Sequence, residues 1–235
     1  MTLKFELPNT NPNTKENSEE AFQPDGKWEK NGGRIQTRNF AKCFHKHVSI
    51  PANRPFRVLD VGCALGDSMP IWHSIYPRAE IWGTDVSSVA ITRATQKFGN
   101  IAKFFRASFE EIEGQFDVIF CSNVMEHFEQ HVEIAEELLK HCSFLYIMTP
   151  YAETKNGRNL VPEPGQFHVA TFLEDTFDRL RTDNVFVRTW IVRCPGAWSP
   201  SIWSELLWHF NYMRGRNSNT PPPRRQIIYE ISKTA

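Results

Sequence analysis

The sequence predicts an α/β protein, a doubly wound and mostly parallel sheet with an antiparallel pair at its edge. Three observations predict it. From Phe56 onward, short apolar runs alternate with stretches of helical periodicity. A small-residue loop, Gly62-Cys63-Ala64-Leu65-Gly66, opens directly off the first apolar run. Near the C-terminus two strand-like runs follow one another with no crossover helix required between them.

The elements follow in order. Phe56 to Val61 is a short apolar run ending at Gly62, Asp67 to Tyr76 reads as helix, and Ala79 to Trp82 is apolar again and ends at Asp85. Ser87 to Phe98 is helical, with Ser87 or Ser88 able to cap it. Ile101 to Phe105, Phe116 to Cys121 and Ser143 to Met148 are further strands, the last two separated by a helix from Glu129 to His141. Such repetition implies right-handed crossovers that cover the sheet with helices on both faces. Thr171 to Arg181 reads as another helix, and Val185 to Val192 with Arg225 to Ser232 as the antiparallel pair, which brings the strands to seven.

Outside this frame, residues 1 to 24 are rich in Asn, Thr, Glu and Pro and are expected to form a disordered tail. Residues 25 to 52 carry a turn at Asn31-Gly32-Gly33 and apolar residues at helical spacing, a helical segment ahead of the main domain at 53 to 235. Between the last two strands, residues 193 to 224 hold Pro195-Gly196, an aromatic stretch and three prolines. A connection this long is expected to be a cap or lid.

Composition narrows the function. Of 235 residues, 27 are acidic and 27 basic, so no net charge favours nucleic acid or an anionic membrane as partner. No apolar run reaches the roughly 20 residues that span a bilayer, and no secretory leader is readable at the start. Five widely spaced cysteines contain no Cys-x-x-Cys and suggest neither a disulfide framework nor a zinc knuckle. A cytoplasmic protein is the expectation.

The loop at Gly62 to Gly66 marks a ligand crevice, because glycines let a ligand approach the backbone at the carboxyl ends of the strands. Nineteen residues beyond Gly66, Asp85 ends the second strand, where a carboxylate can accept both hydroxyls of a ribose. Asp60, two residues before the first glycine, would repel a pyrophosphate but favour a sulfonium. Together they favour S-adenosylmethionine (SAM) over NAD.

These motifs, in order, resemble the class I SAM-dependent methyltransferases over about residues 56 to 192. The resemblance rests on Val58 to Gly66, Gly83-Thr84-Asp85-Val86, Ala107-Ser108-Phe109-Glu110-Glu111-Ile112, and Phe116 to Phe128 with its Asn123-Val124-Met125-Glu126-His127 end. It implies a Rossmann-like seven-stranded fold, SAM as cofactor and S-adenosylhomocysteine (SAH) as product. It further implies that Asp60, Gly62, Ala64 and Gly66 line the methionine moiety, that Asp85 holds the ribose with Val86 against the adenine, that Ser108 and Phe109 contact the adenine edge, and that Asn123 borders the cofactor. Ala64 stands where the family has a middle glycine and Ser108 where it has aspartate, which leaves the adenine amino group a weaker acceptor. The leading segment at 25 to 52 is expected to close the cofactor site, and Arg38, beside Gln36 and Thr37, is a candidate for the methionine carboxylate.

Glu126-His127 and the later Phe167-His168-Val169 resemble the small-molecule subgroup that includes quinone O-methyltransferases and enzymes acting on glycans and natural products. Each histidine would sit at the carboxyl edge of the sheet, so His127 and His168 are candidate bases and Glu126 a substrate contact. Trp198 and Trp203 of the aromatic stretch are candidates for stacking on a sugar or ring substrate. A substrate lid, a homodimer contact and a plain core helix all fit that stretch. His127 and His131 are four apart, but no third ligand is evident and no metal is expected. The expected activity is methyl transfer to a hydroxyl of a small molecule or sugar precursor. N-methylation of a small amine, or SAM binding without catalysis in the service of a partner protein, are its alternatives.

Overall fold

The computed structural model describes residues 15–48, 50, 55–152, 154, 155, 158, 159, 168–194 and 225–233. Helices α1 (Lys15–Ala21), α2 (Lys27–Lys30) and α3 (Gly33–His47) precede the sheet. Then come β1 (Phe56–Val61), α4 (Met69–Ile75), β2 (Ala79–Asp85), α5 (Ser88–Phe98), β3 (Lys103–Arg106), β4 (Phe116–Ser122), α6 (His131–Leu139) and β5 (Cys142–Pro150). The two-residue strands β6 (Thr154–Lys155) and β7 (Arg158–Asn159) pair with each other, and β8 (Val185–Arg193) and β9 (Arg225–Lys233) complete the main sheet.

Seven strands lie in the order β3-β2-β1-β4-β5-β9-β8. β1 to β5 are parallel, whereas β9 runs antiparallel to both β5 and β8. The expected edge pair is therefore present, with its antiparallel member one position in from the edge. The chain builds outward from β1 through β2 to β3, then returns to β4 on the other side. That reversal opens a crevice beyond the carboxyl ends of β1 and β4.

Strand alternation feeds two cores. Leu59, Ile119, Leu145 and Ile147 pack with Val132, Ile134, Ala135 and Leu138 of α6 on one face. Val58, Val118, Phe120 and Tyr146 face the other way, toward Phe44 of α3, Trp72 of α4 and Phe98 of α5. There Trp72 stacks on Phe120 at 4.4 Å between ring centroids, 8° from parallel. Packing of this kind holds the rim of the crevice on rigid elements.

Two expectations are corrected. Within the stretch expected to be a disordered tail, Lys15–Ala21 form helix α1. The Glu19 carboxylate of α1 accepts hydrogen bonds from the Ser88 and Val89 backbone N–H groups at 2.9 Å, and from the Ser87 and Ser88 hydroxyls. Burial opposes its ionisation, but these bonds outweigh it and hold the carboxyl down at about 2. Phe22 meets Trp28 edge-on at 5.4 Å, and Arg93 of α5 bonds both the Phe22 carbonyl and Glu29. The segment is too polar to fold alone, yet it acts as a cap for the N-terminus of α5. Glu19→Ala should lower stability by about 1 kcal/mol and raise hydrogen exchange in residues 15 to 22 well before the sheet opens. Unchanged exchange there would contradict the docking role.

The second correction concerns 171 to 181, which form turns and a short 3-10 helix (Asp178–Leu180) in place of an α-helix. The Thr176 hydroxyl accepts from the Leu173 N–H at 2.8 Å, and the Tyr229 hydroxyl donates to the Leu173 carbonyl at 2.5 Å. Local side-chain bonds thus replace the helical ladder, while Phe172 and Phe177 are buried against Tyr229. Beyond Arg193 and Cys194, the expected cap at 193 to 224, including Trp198 and Trp203, lies outside the described residues.

Candidate active site

A cleft of about 240 Å³ opens at the carboxyl ends of β1, β2 and β4. Its floor is the glycine loop. The Thr84 carbonyl of β2 accepts from both the Gly62 and Cys63 N–H groups at 2.9 Å, so the loop is tied to the neighbouring strand. Gly62 has φ +73°, and a Cβ there would lie 2.4 Å from a Val124 methyl. No larger residue fits this turn. Gly66, also at positive φ, is not among the cleft-lining residues and packs toward Ala94, Phe98 and Phe104. Its part is to turn the chain away from the cleft.

Ala64 lines the cleft in the left-handed region, φ 49°. For a residue with a Cβ that conformation costs about 1–2 kcal/mol. Asp85 offsets it, because the Ala64 N–H donates to Asp85 Oδ2 at 3.0 Å, while the Ser87 N–H donates to Oδ1 at 3.0 Å. Both carboxylate oxygens keep lone pairs for a ligand. Burial pushes the Asp85 carboxyl up to about 6, against the backbone N–H bonds and with a contribution from the Glu19 charge.

Asp60 stands on the facing side of the loop, 5 % exposed, and accepts a 2.5 Å hydrogen bond from the Ser68 hydroxyl. Burial raises its carboxyl to about 6 as well; Ser68 and the Trp72 indole pull it down, and Asp85 adds to the rise. Two buried carboxylates with raised affinity for protons, on either side of one loop, form a cleft suited to hydroxyl donors and to a cation. Cys63 and Cys121 beside them are buried thiols that burial pushes well above the ordinary range, so neither is a ready nucleophile.

Val86, Ser108, Phe109 and Asn123 line the same cleft. The Ser108 N–H is capped by the Glu111 carboxylate at 2.8 Å, which fixes the start of the short helix that carries Phe109. Arg38 does not reach the cleft. Its guanidinium pairs with the buried Asp67 at 2.9 Å, beside Arg34 and Lys97 on the same carboxylate. Gln36 and Thr37 of α3 line the cleft in its place, with Ser18 of α1, Phe22 just after it and Trp28 of α2. Trp28, Gln36 and Thr37 belong to the segment at 25 to 52 expected to close the cofactor site, whereas Ser18 and Phe22 lie in the stretch expected to be a tail, where nothing local points to the sheet.

Across the cleft stand Glu126, His127 and His168. The His127 and His168 rings meet edge-on at 5.1 Å, although 41 residues separate them in the sequence. The Glu126 carbonyl accepts from the Val169 N–H at 2.7 Å and from Ala170 at 3.2 Å, and this docks the segment bearing His168. Glu126 itself is 2 % exposed. His131, four residues from His127, turns away. Its Nδ1 lies 3.2 Å from the Phe128 carbonyl and its ring rests on Phe172, where burial depresses its pKa.

Residues 58–143 match the family model of a methyltransferase domain. Among solved structures, the plantazolicin methyltransferase BpumL in complex with SAH superposes with a TM-score of 0.55 at 18 % identity, over 95 % of this chain and 96 % of that one. Trans-aconitate 2-methyltransferase of Deinococcus radiodurans is 26 % identical over 93 residues, 39 % of this chain and 36 % of its own. Malonyl-[acyl-carrier protein] O-methyltransferase of Anoxybacillus flavithermus is 24 % identical over 144 residues, 60 % of this chain and 48 % of its own. The matches span about a third and about half the length of these two relatives. Residues 58–143 thus match a methyltransferase domain, and the seven-stranded sheet with its antiparallel β9 has the Rossmann-like fold that the order of motifs implies. Among the described residues no helix is long and apolar enough to cross a membrane.

Proposed function

We propose, from the methyltransferase domain at residues 58–143 and the class I fold around it, that the protein transfers the methyl group of SAM to a hydroxyl of a small molecule or sugar precursor. One observation carries this reading: a single cleft holds two buried carboxylates around a left-handed loop on one wall and an acid–histidine–histidine cluster on the other.

Asp85 takes the ribose hydroxyls and Asp60 faces the sulfonium end. The methyl carbon forms its bond to the acceptor oxygen as its bond to sulfur breaks, and the electron pair of that bond stays on sulfur, giving SAH. Positive charge disappears in this step, so alignment and exclusion of water matter more than charge stabilisation. The hydroxyl proton goes to His127 or His168, the bases nearest the acceptor side.

Thermal unfolding with SAM, SAH or NAD tests the cofactor. At 100 times its dissociation constant a ligand adds about 2.7 kcal/mol, a midpoint rise of several degrees at this chain length. A rise with the two sulfur nucleosides is expected, and a rise with NAD alone would refute the reading. Once an acceptor is found by screening, His127→Ala with His168→Ala should lower kcat by about 100-fold or more while SAH still binds. Retained turnover with an amine acceptor would shift the assignment to N-methylation, and SAH binding with no acceptor at all would favour a binding module.

A further inference from the structure

Among the described residues, Glu126, His127 and His168 are the one group of three metal-ligating side chains whose ligand atoms all lie within 4.8 Å of one another. We propose that they hold a divalent first-row transition-metal ion whose remaining coordination positions face the cleft and take an oxygen of the acceptor. The proposal deepens the methyl-transfer reading and rests on it for the nature of the acceptor, though not for the ion.

Three features of the cluster support it. Two imidazoles and one carboxylate are a nitrogen–oxygen donor set suited to zinc, manganese, iron or cobalt, and three protein ligands leave open the positions that a reacting oxygen needs. Glu126 is buried, and a carboxylate away from water is stabilised by a cation. The backbone brings the ligands together by design of the fold: the Glu126 carbonyl holds Val169 and Ala170, so the segment carrying His168 is clamped to the segment carrying the other two ligands. Ligand atoms around such an ion stand about 3 Å apart, given bonds of roughly 2.0–2.2 Å.

With the ion bound, the imidazoles are ligands and no longer accept the proton. Coordination lowers the pKa of the acceptor hydroxyl, its proton leaves to water, and the metal-held oxygen takes the methyl carbon as the carbon–sulfur bond breaks toward sulfur. The ion thereby also fixes the line of attack.

The test uses the full chain, stripped with a chelator and titrated with Co2+, whose visible absorption reports nitrogen and oxygen coordination, alongside equilibrium dialysis with Zn2+. One ion per chain is expected. Glu126→Gln, which keeps the side-chain shape, His127→Ala and His168→Ala should each weaken binding by about 100-fold or more, and the SAH-induced thermal shift reports that each variant is folded. Absence of stoichiometric binding in the parent protein overturns the proposal and leaves the histidines as bases. Binding that survives all three substitutions overturns it too, since the ion then sits elsewhere. If the parent protein gives no SAH shift, the methyltransferase reading fails by itself, and the cobalt titration still decides the metal site.

Discussion

Asp85→Asn should weaken SAH binding by about 100-fold or more. A hydrogen bond to a charged group contributes about 1.5–3 kcal/mol, and in the proposed binding mode two ribose hydroxyls would lose their charged acceptor together. The amide also disturbs the loop from within. In the parent protein both carboxylate oxygens accept backbone N–H bonds, from Ala64 and Ser87, and an amide nitrogen facing either N–H has nothing to accept with. Ala64, held at φ 49°, would then be free to leave its left-handed conformation and the loop its shape. Titration calorimetry with SAH measures the loss, and the melting point of the unliganded variant separates a folded protein with a poor site from an unfolded one. An unchanged dissociation constant would mean that Asp85 shapes the loop but never meets the ribose.

The second large effect is on stability. Asp60 and Asp85 are both pushed up to about 6 from an ordinary 3.8. Between these values the native state keeps protons that the unfolded chain releases, so stability falls as pH rises from about 4 through 6. A two-unit rise corresponds to up to roughly 3 kcal/mol for each carboxylate once it is ionised. Below about 4 the balance reverses, because carboxylates such as Glu19, held at about 2, lose their bonds on protonation. The unliganded protein should therefore be more stable near pH ~4 than at 7.

Asp60→Asn removes one buried charge and keeps an acceptor for the Ser68 hydroxyl. At pH 7 it should stabilise the unliganded protein by about 2 kcal/mol, which is roughly 4–8 °C in the melting point. The same substitution should weaken SAM, which carries the sulfonium, more than neutral SAH. Melting curves from pH 4 to 8 with both ligands check both statements. A D60N variant less stable than the parent at pH 7 would show that the carboxylate is satisfied where it stands and is not held there at a cost.

Both carboxylates are legible in the amino-acid sequence, and so is most of the frame around them. The alternation of apolar runs with helical periods, the glycine loop and the placement of Asp60 and Asp85 at strand ends are local signals, each written within a few consecutive residues, and each element from β1 to β5 falls within a few residues of its expected bounds. Physical chemistry acts on such segments nearly one at a time: a buried strand must be apolar, and a tight turn against Val124 must be glycine. Gly66 shows the limit, because its spacing marks the loop while its packing turns it from the cleft.

What only the tertiary structure decided involves residues far apart in the chain. Glu19 finds the N-terminus of α5 some 70 residues away, and with it a stretch that composition alone marks as disordered becomes a wall of the cleft. Arg38 meets the buried Asp67, 29 residues away in the sequence. His127 meets His168 rather than His131, because the backbone bonds from Val169 and Ala170 to Glu126 bring one loop over and the phenylalanines at 172 and 177 draw the other ring into the core. Such pairings leave no period and no spacing in the sequence. Their free energy comes from removing charge and ring surface from water at a contact that exists only once the sheet has closed.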